Sequence, residues 1–118
     1  MIEIASKIPR GSILKTPSGR AEFEIYHIDG ERIMIRVPVT NTIIKIPAAC
    51  FEESSIFLRG KGWIRIGAVH GAACRGSFDE FVQRFTSETS AASYVAPILE
   101  KAGIVKIDRK RPARIKLR

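Results

Sequence analysis

Four side chains in this sequence could hold a metal ion or act as a nucleophile, namely His27, Cys50, His70 and Cys74. Zinc sites usually combine two closely spaced ligand pairs, whereas His70-x-x-x-Cys74 is the one close pair here. A thiol nucleophile would need a base within hydrogen-bond reach, which this spacing does not indicate. Cys50 precedes Phe51 and fits a small buried hydrophobic residue. We therefore expect no metal, no cofactor and no catalytic residue.

The single tryptophan of the chain lies between two cations, in the segment Lys61-Gly62-Trp63-Ile64-Arg65. An exposed indole between positive charges can stack on an unpaired base. A lone tryptophan in an alternating strand is more typical of a hydrophobic core, and we interpret Trp63 as a core residue. The flanking cations leave binding of RNA or of a single strand open as an alternative.

Positive charge is concentrated at the end of the chain. The sequence has 20 Lys and Arg against 12 Asp and Glu, a formal net charge of +8, and its last 16 residues hold seven cations and one carboxylate. Such a field attracts polyanions over a Debye length of about 8 Å at physiological salt, and nucleic acid is the commonest polyanion. A solvated basic tail and a docking site for an acidic protein are the alternatives. The cations expected to contact phosphate are Lys106, Arg109, Lys110, Arg111, Arg114, Lys116 and Arg118.

Composition excludes several classes of protein. With 45% apolar and 27% charged residues, the 118-residue chain is too apolar for a disordered protein, and two cysteines cannot build a disulfide scaffold. No run approaches the roughly 18 to 20 apolar residues that cross a bilayer, and the start MIEIASKIPRG lacks the order of a signal peptide. We expect a cytoplasmic protein with no membrane partner.

The first 48 residues have the pattern of short strands. The segments 22–28 and 32–38 flank Asp29-Gly30, a typical hairpin turn. A three-residue loop would set Ile25 opposite Ile35 and Glu24 opposite Arg36, which collects the apolar residues on one face. Further strands are predicted over 42–46 and, from weaker patterns, over 2–4 and 12–14. We expect a β-rich part over residues 1–48, formed as a curled sheet or a partial barrel.

Helices dominate the predicted second part, residues 49–118. A short helix is predicted over 48–58 and a strand over 63–66. Ser77 and Glu80 form a capping box that begins a helix over 77–85. The next helix is predicted to begin between residues 87 and 90, to bend at Pro97 and to end before Gly103. Two alternating apolar and basic strands, 104–107 and 113–117, close the chain. The fold class is therefore α+β, with Ile104, Ile115 and Leu117 facing the helices.

The capping box, the run from Tyr94 to Val105 and the basic hairpin over 104–117 resemble the winged helix-turn-helix module. The resemblance implies that the third helix, near Thr89, Ser90 and Ser93, approaches base edges while the loop 109–111 contacts phosphates. We predict non-catalytic binding of nucleic acid, with double-stranded DNA expected rather than RNA. A protein-interaction or assembly module is the alternative, and either could act as a homodimer.

Overall fold

An open antiparallel sheet occupies most of the first part of the chain. In the computed structural model, residues 2–67, 76–86, 91–110 and 112–118 are described. The order of the four strands equals their order in the sequence, and in the described chain β1 and β4 lie at opposite edges, so the sheet is not closed into a barrel. The strands are β1 (Ile13–Lys15), β2 (Glu22–Ile28), β3 (Arg32–Val37) and β4 (Thr42–Pro47).

The β2–β3 hairpin has the predicted register at its far end and a different one beside its turn. Glu24 pairs with Arg36, as expected, but a β-bulge after Ile25 shifts the pairs nearer the turn by one residue. The Asp29 carboxylate accepts the backbone N–H groups of Glu31 at 2.8 Å and Arg32 at 3.0 Å. This capped turn takes one residue more than a three-residue loop, and the bulge absorbs the difference.

The chain begins with a helix, α1 (Ile2–Lys7), so the strand predicted over 2–4 is wrong. Ile4 and Ile8 are both buried, and a spacing of four places them on one side of a helical turn. Lys7 donates from Nζ to the carbonyl of Ala102 at 3.1 Å. The first residues therefore pack against the second part of the chain instead of extending the sheet.

The second part follows the predicted order of helix, strand, helix, helix, strand, strand. Its strands form a separate antiparallel sheet with β7 in the centre, in the order β5-β7-β6. The elements are α2 (Ala48–Leu58), β5 (Ile64–Arg65), α3 (Phe78–Thr86), α4 (Ala92–Lys101), β6 (Val105–Asp108) and β7 (Arg114–Leu117).

The ends of α3 and α4 follow local hydrogen bonding. Ser77 Oγ accepts the N–H of Glu80 at 3.1 Å, as the capping box predicts, but Glu80 Oε1 accepts the N–H of Gly76 at 3.0 Å instead of that of Ser77. After α4, Gly103 has φ +81°, and its N–H donates to the carbonyl of Glu100. The N–H of Ile104 also donates to the carbonyl of Leu99 at 3.0 Å, which completes a Schellman motif around the left-handed glycine that the sequence predicts.

The beginning of α4 is later than predicted. The helix starts at Ala92 with Ala91 as its N-cap, so the expected start between residues 87 and 90 is wrong. Ala91 and Ala92, at this start, are both buried. Pro97 remains inside the helix as its sixth residue, where it has no N–H to donate to the preceding turn.

One hydrophobic core joins the two parts. It includes Phe23 and Ile35 from the first sheet together with Ile98 from α4 and Ile115 from the second sheet. The ring of Phe23 meets that of Tyr94 edge to face, with centroids 5.2 Å apart. The open sheet and α4 therefore share one hydrophobic core.

Within the described residues, no helix has the length and apolar character needed to cross a bilayer.

Candidate nucleic-acid interface

The second sheet has an apolar inner face and a charged outer face. Val105 and Ile115 are buried, and β6 and β7 pack against α4 and α2. Opposed residues of an antiparallel pair share a face, so the register assigns the other set to the opposite side. Lys106 pairs with Lys116, Asp108 with Arg114, and Arg114 also with Arg65. We call this side, together with Trp63, the outer face.

Like charges are directly opposed on two pairs of this face. Lys106 stands opposite Lys116, and Arg65 stands opposite Arg114. Like charges that are directly opposed destabilise a strand pair. Asp108, which also faces Arg114, offsets part of this repulsion. Among the residues described on the outer face, four are cations and one is a carboxylate, so the face has a net positive charge.

Trp63 is part of the outer face, and its interpretation as a core residue is wrong. Its side chain is 44% exposed, and Lys116 Nζ lies 6.0 Å from its ring centroid. The cause is strand alternation: Ile64 pairs with Ile115 and points inward, so its neighbour Trp63 points outward. The sequence could have indicated this orientation. In an extended segment Trp63 points to the same side as Arg65, two residues later, and away from the side of the apolar Ile64.

Arg109, expected to contact phosphate, forms a bidentate ion pair with Glu100 of α4. The two guanidinium nitrogens lie 2.7 and 2.6 Å from the two carboxylate oxygens. The hydrogen bonds that Arg109 donates to Glu100 raise the pKa of Arg109 above its ordinary value. The positive charge of Arg109 is thus balanced within the molecule, and its side chain fastens the hairpin to α4.

The other residues predicted for the site fall into three groups. Lys106, Arg114 and Lys116 are exposed on the outer face, as the alternating pattern predicts. Lys110 and Arg118 are exposed at the two ends of the same hairpin. The remaining three are Ser93, half-buried in the first turn of α4, and Ser90 and Arg111, which lie outside the described residues.

The winged-helix resemblance would place α4 against base edges, but most of α4 is buried within the protein. Six of the ten residues described in α4 are buried: Ala92, Val95, Ala96, Pro97, Ile98 and Leu99. A major-groove reading helix needs an exposed side with polar side chains. The elements that pack on α4 are β6, α3, α1 and β1, and together they leave little of its described length exposed. Ser93 is half-buried in the first turn of α4, and its base contact stays a prediction.

A cleft of about 450 Å³ separates the turn after β1 from the beginning of α4. Hydroxyl groups of Thr16, Ser18 and Ser93 line it, together with Tyr94 and Arg65. Among the described lining residues there is no carboxylate, histidine or thiol.

The side chains considered for metal or thiol chemistry are not assembled in the described chain. Cys50 is fully buried, as predicted, and burial, with a smaller effect of Glu53, raises its pKa to about 12. His27 Nε2 lies 3.1 Å from Asp29 Oδ2 at the β2–β3 turn. The described residues contain no cluster of three or more His, Cys, Asp or Glu that could hold a metal ion. His70 and Cys74 lie outside those residues.

No protein-family model, no curated protein and no solved structure matches this chain.

Proposed function

We propose that this protein binds nucleic acid without catalysis, through phosphate contacts from the outer face and the hairpin. The cations assigned to these contacts are Lys106, Lys116 and Arg114, assisted by Lys110 and Arg118. The observation that carries the proposal is the pair Lys106–Lys116, two lysines directly opposed on neighbouring strands.

The opposed lysines have an energetic cost that a ligand can reverse. The repulsion between them reduces the stability of the hairpin, and it is relieved when phosphate groups lie over the pair. Neutral or opposite charges at these positions would pair more favourably within the free protein. A polyanion is the ligand class that gains from this arrangement.

The order of elements from α2 to β7, with the strand order β5-β7-β6, supports a winged-helix-like arrangement. In that arrangement the β6–β7 hairpin corresponds to the wing. Because α4 is mostly buried, the hairpin and the outer face are the binding elements, and sequence readout in a major groove is not part of the proposal. Binding through phosphates alone is expected to depend steeply on salt and weakly on sequence.

The decisive experiment compares two double charge reversals that alter the net charge equally. K106E/K116E changes the outer face and leaves a like-charged pair, so strand pairing is disturbed little. K15E/K45E changes two exposed lysines of the first sheet. Binding of a labelled 20-nucleotide single strand of DNA is measured by fluorescence anisotropy at 50 mM salt.

We expect K106E/K116E to weaken binding at least tenfold and K15E/K45E to weaken it less than threefold. Equal losses in both variants would mean that only the overall charge matters and would overturn the assigned surface. Absence of binding by the wild-type protein would overturn the function. Equally tight binding of polyglutamate, with the same dependence on the variants, would instead identify an acidic protein as the partner.

A further inference from the structure

The outer face combines an exposed aromatic ring with cations in one row. Across the sheet the row runs from Lys106 to Lys116 to Trp63, since Lys106 opposes Lys116 and Lys116 Nζ lies 6.0 Å from the indole centroid. Strands are about 4.8 Å apart, so the row extends roughly 10 Å. This length matches a base and its neighbouring phosphates better than a single small anion.

We infer that this face takes an unpaired nucleic-acid strand, with one base stacked on Trp63 and the adjoining phosphates on Lys116 and Lys106. The inference rests on the proposed function and specifies its substrate class. Every base has a π-face, so stacking on an indole requires no particular sequence. The chemistry is shared by single-stranded DNA and RNA.

The position of Trp63 separates an unpaired strand from a duplex. In a duplex the faces of the bases are stacked on one another, and a ring standing on a sheet surface can reach only their edges or the backbone. An unpaired strand can turn a base onto the ring while its phosphates remain beside the lysines. Loss of one base–indole contact is expected to weaken single-strand binding roughly five- to a hundredfold and to leave duplex binding nearly unchanged.

A packing role does not explain Trp63. It stands among charged side chains, and nearly half of its surface is exposed to solvent. The neighbouring inward position is filled by Ile64, which pairs with Ile115 in the inner layer. Replacement of Trp63 is therefore expected to change the stability of the fold little.

The experiment uses Trp63 as its own probe, because it is the only tryptophan in the sequence. The wild-type protein is titrated with oligo-dT and oligo-rU of 20 nucleotides and with a 20-base-pair DNA duplex. We expect both single strands to quench the indole fluorescence strongly and the duplex to quench it little. Comparison of oligo-dT with oligo-rU shows whether the affinity depends on the sugar.

Three variants complete the test by anisotropy. The affinity of W63A for the single strands should be at least fivefold lower than that of the wild type. W63F should keep most of the wild-type affinity. Both variants should bind the duplex within twofold of the wild type. Y26A, which removes an exposed aromatic ring from the first sheet, should change neither affinity. Thermal unfolding of each variant checks that the fold is retained.

The outcomes separate this inference from the proposed function. If W63A binds single strands as the wild type does, or loses equally for strand and duplex, the stacking role is overturned. The function stands in that case provided that K106E/K116E still weakens binding. If neither W63A nor K106E/K116E affects binding, both the stacking role and the proposed surface fall.

Discussion

The opposed lysines connect a single residue pair to both stability and binding. Changing Lys106 to Glu places opposite charges across the β6–β7 pair. We expect K106E to raise the free energy of unfolding by about 0.5–1 kcal/mol in urea titrations while it weakens nucleic-acid binding. The gain should disappear in 1 M salt, where surface charges are screened.

The matched substitution is K45E, because Lys45 stands opposite the uncharged Met34. It should change stability much less than K106E. A K106E protein that is less stable than wild type at low salt would contradict the account of the lysine pair.

Glu100 limits the charge available to a ligand, because it neutralises Arg109. E100A should raise the affinity for a single strand about fivefold at 0.1 M salt, since the released arginine adds one phosphate contact. The loss of an exposed ion pair should lower the free energy of unfolding by no more than about 1 kcal/mol. Anisotropy and urea titration measure the two effects.

E22A is the control for Glu100, as it removes an exposed carboxylate from the first sheet. An equal increase in affinity for E22A would show that only the net charge matters.

The sequence allowed some side-chain positions to be predicted and not others. The outward directions of Lys106, Arg114 and Lys116 follow from alternation alone, which is a local property. The pairing of Arg109 with Glu100 depends on how the hairpin leans on α4, and no spacing rule encodes that. The exposure of Trp63 was not predicted, because a lone tryptophan is usually a core residue, whereas its position in the alternation places it beside the charged residues.

At the scale of elements, the β2–β3 turn depends on an ionised carboxylate. Hydrogen bonds from the N–H groups of Glu31 and then Arg32 lower the pKa of Asp29 below its ordinary value of 3.8, and His27 adds a smaller effect. A lowered folded pKa means that the unfolded chain takes up the proton first. The stabilisation is therefore complete above the ordinary pKa and is lost as the pH falls through the folded one.

D29N tests this turn, because an amide can keep its geometry without the charge. The wild-type protein should be more stable than D29N at pH 7, and the difference should shrink as the pH falls below ~4. Urea unfolding at pH 7, 5 and 3 measures it. A difference that stays constant down to pH 3 would contradict a role for the carboxylate charge.

Element types were predicted more accurately than element ends. The strands predicted over 22–28 and 42–46 and the short helix predicted over 48–58 are present at 22–28, 42–47 and 48–58. The beginning of α4 was predicted too early because Ser87 and Ser90 resemble N-caps, whereas the N-cap is Ala91, which has no side chain able to cap. Residues 2–4 were assigned to a strand because Ile2 and Ile4 alternate, although Ile8 completes a helical face with Ile4.

At the scale of the whole molecule, the open sheet determines which surfaces can bind. It shares one hydrophobic core with α4, through contacts such as Phe23 with Tyr94. A helix of similar sequence in an uncovered module could present a side to DNA, but here the charged hairpin remains exposed. Which side of α4 is covered depends on packing between distant elements, so local patterns could not predict it.

The most direct test of a phosphate-binding face is the salt dependence of affinity. The logarithm of the association constant for a 20-nucleotide single strand is plotted against the logarithm of salt concentration from 50 to 300 mM. Contacts to about five phosphates predict a slope near −3.5, and K106E/K116E should make it shallower by at least one. A slope near zero, or a slope that the double variant leaves unchanged, would contradict the account.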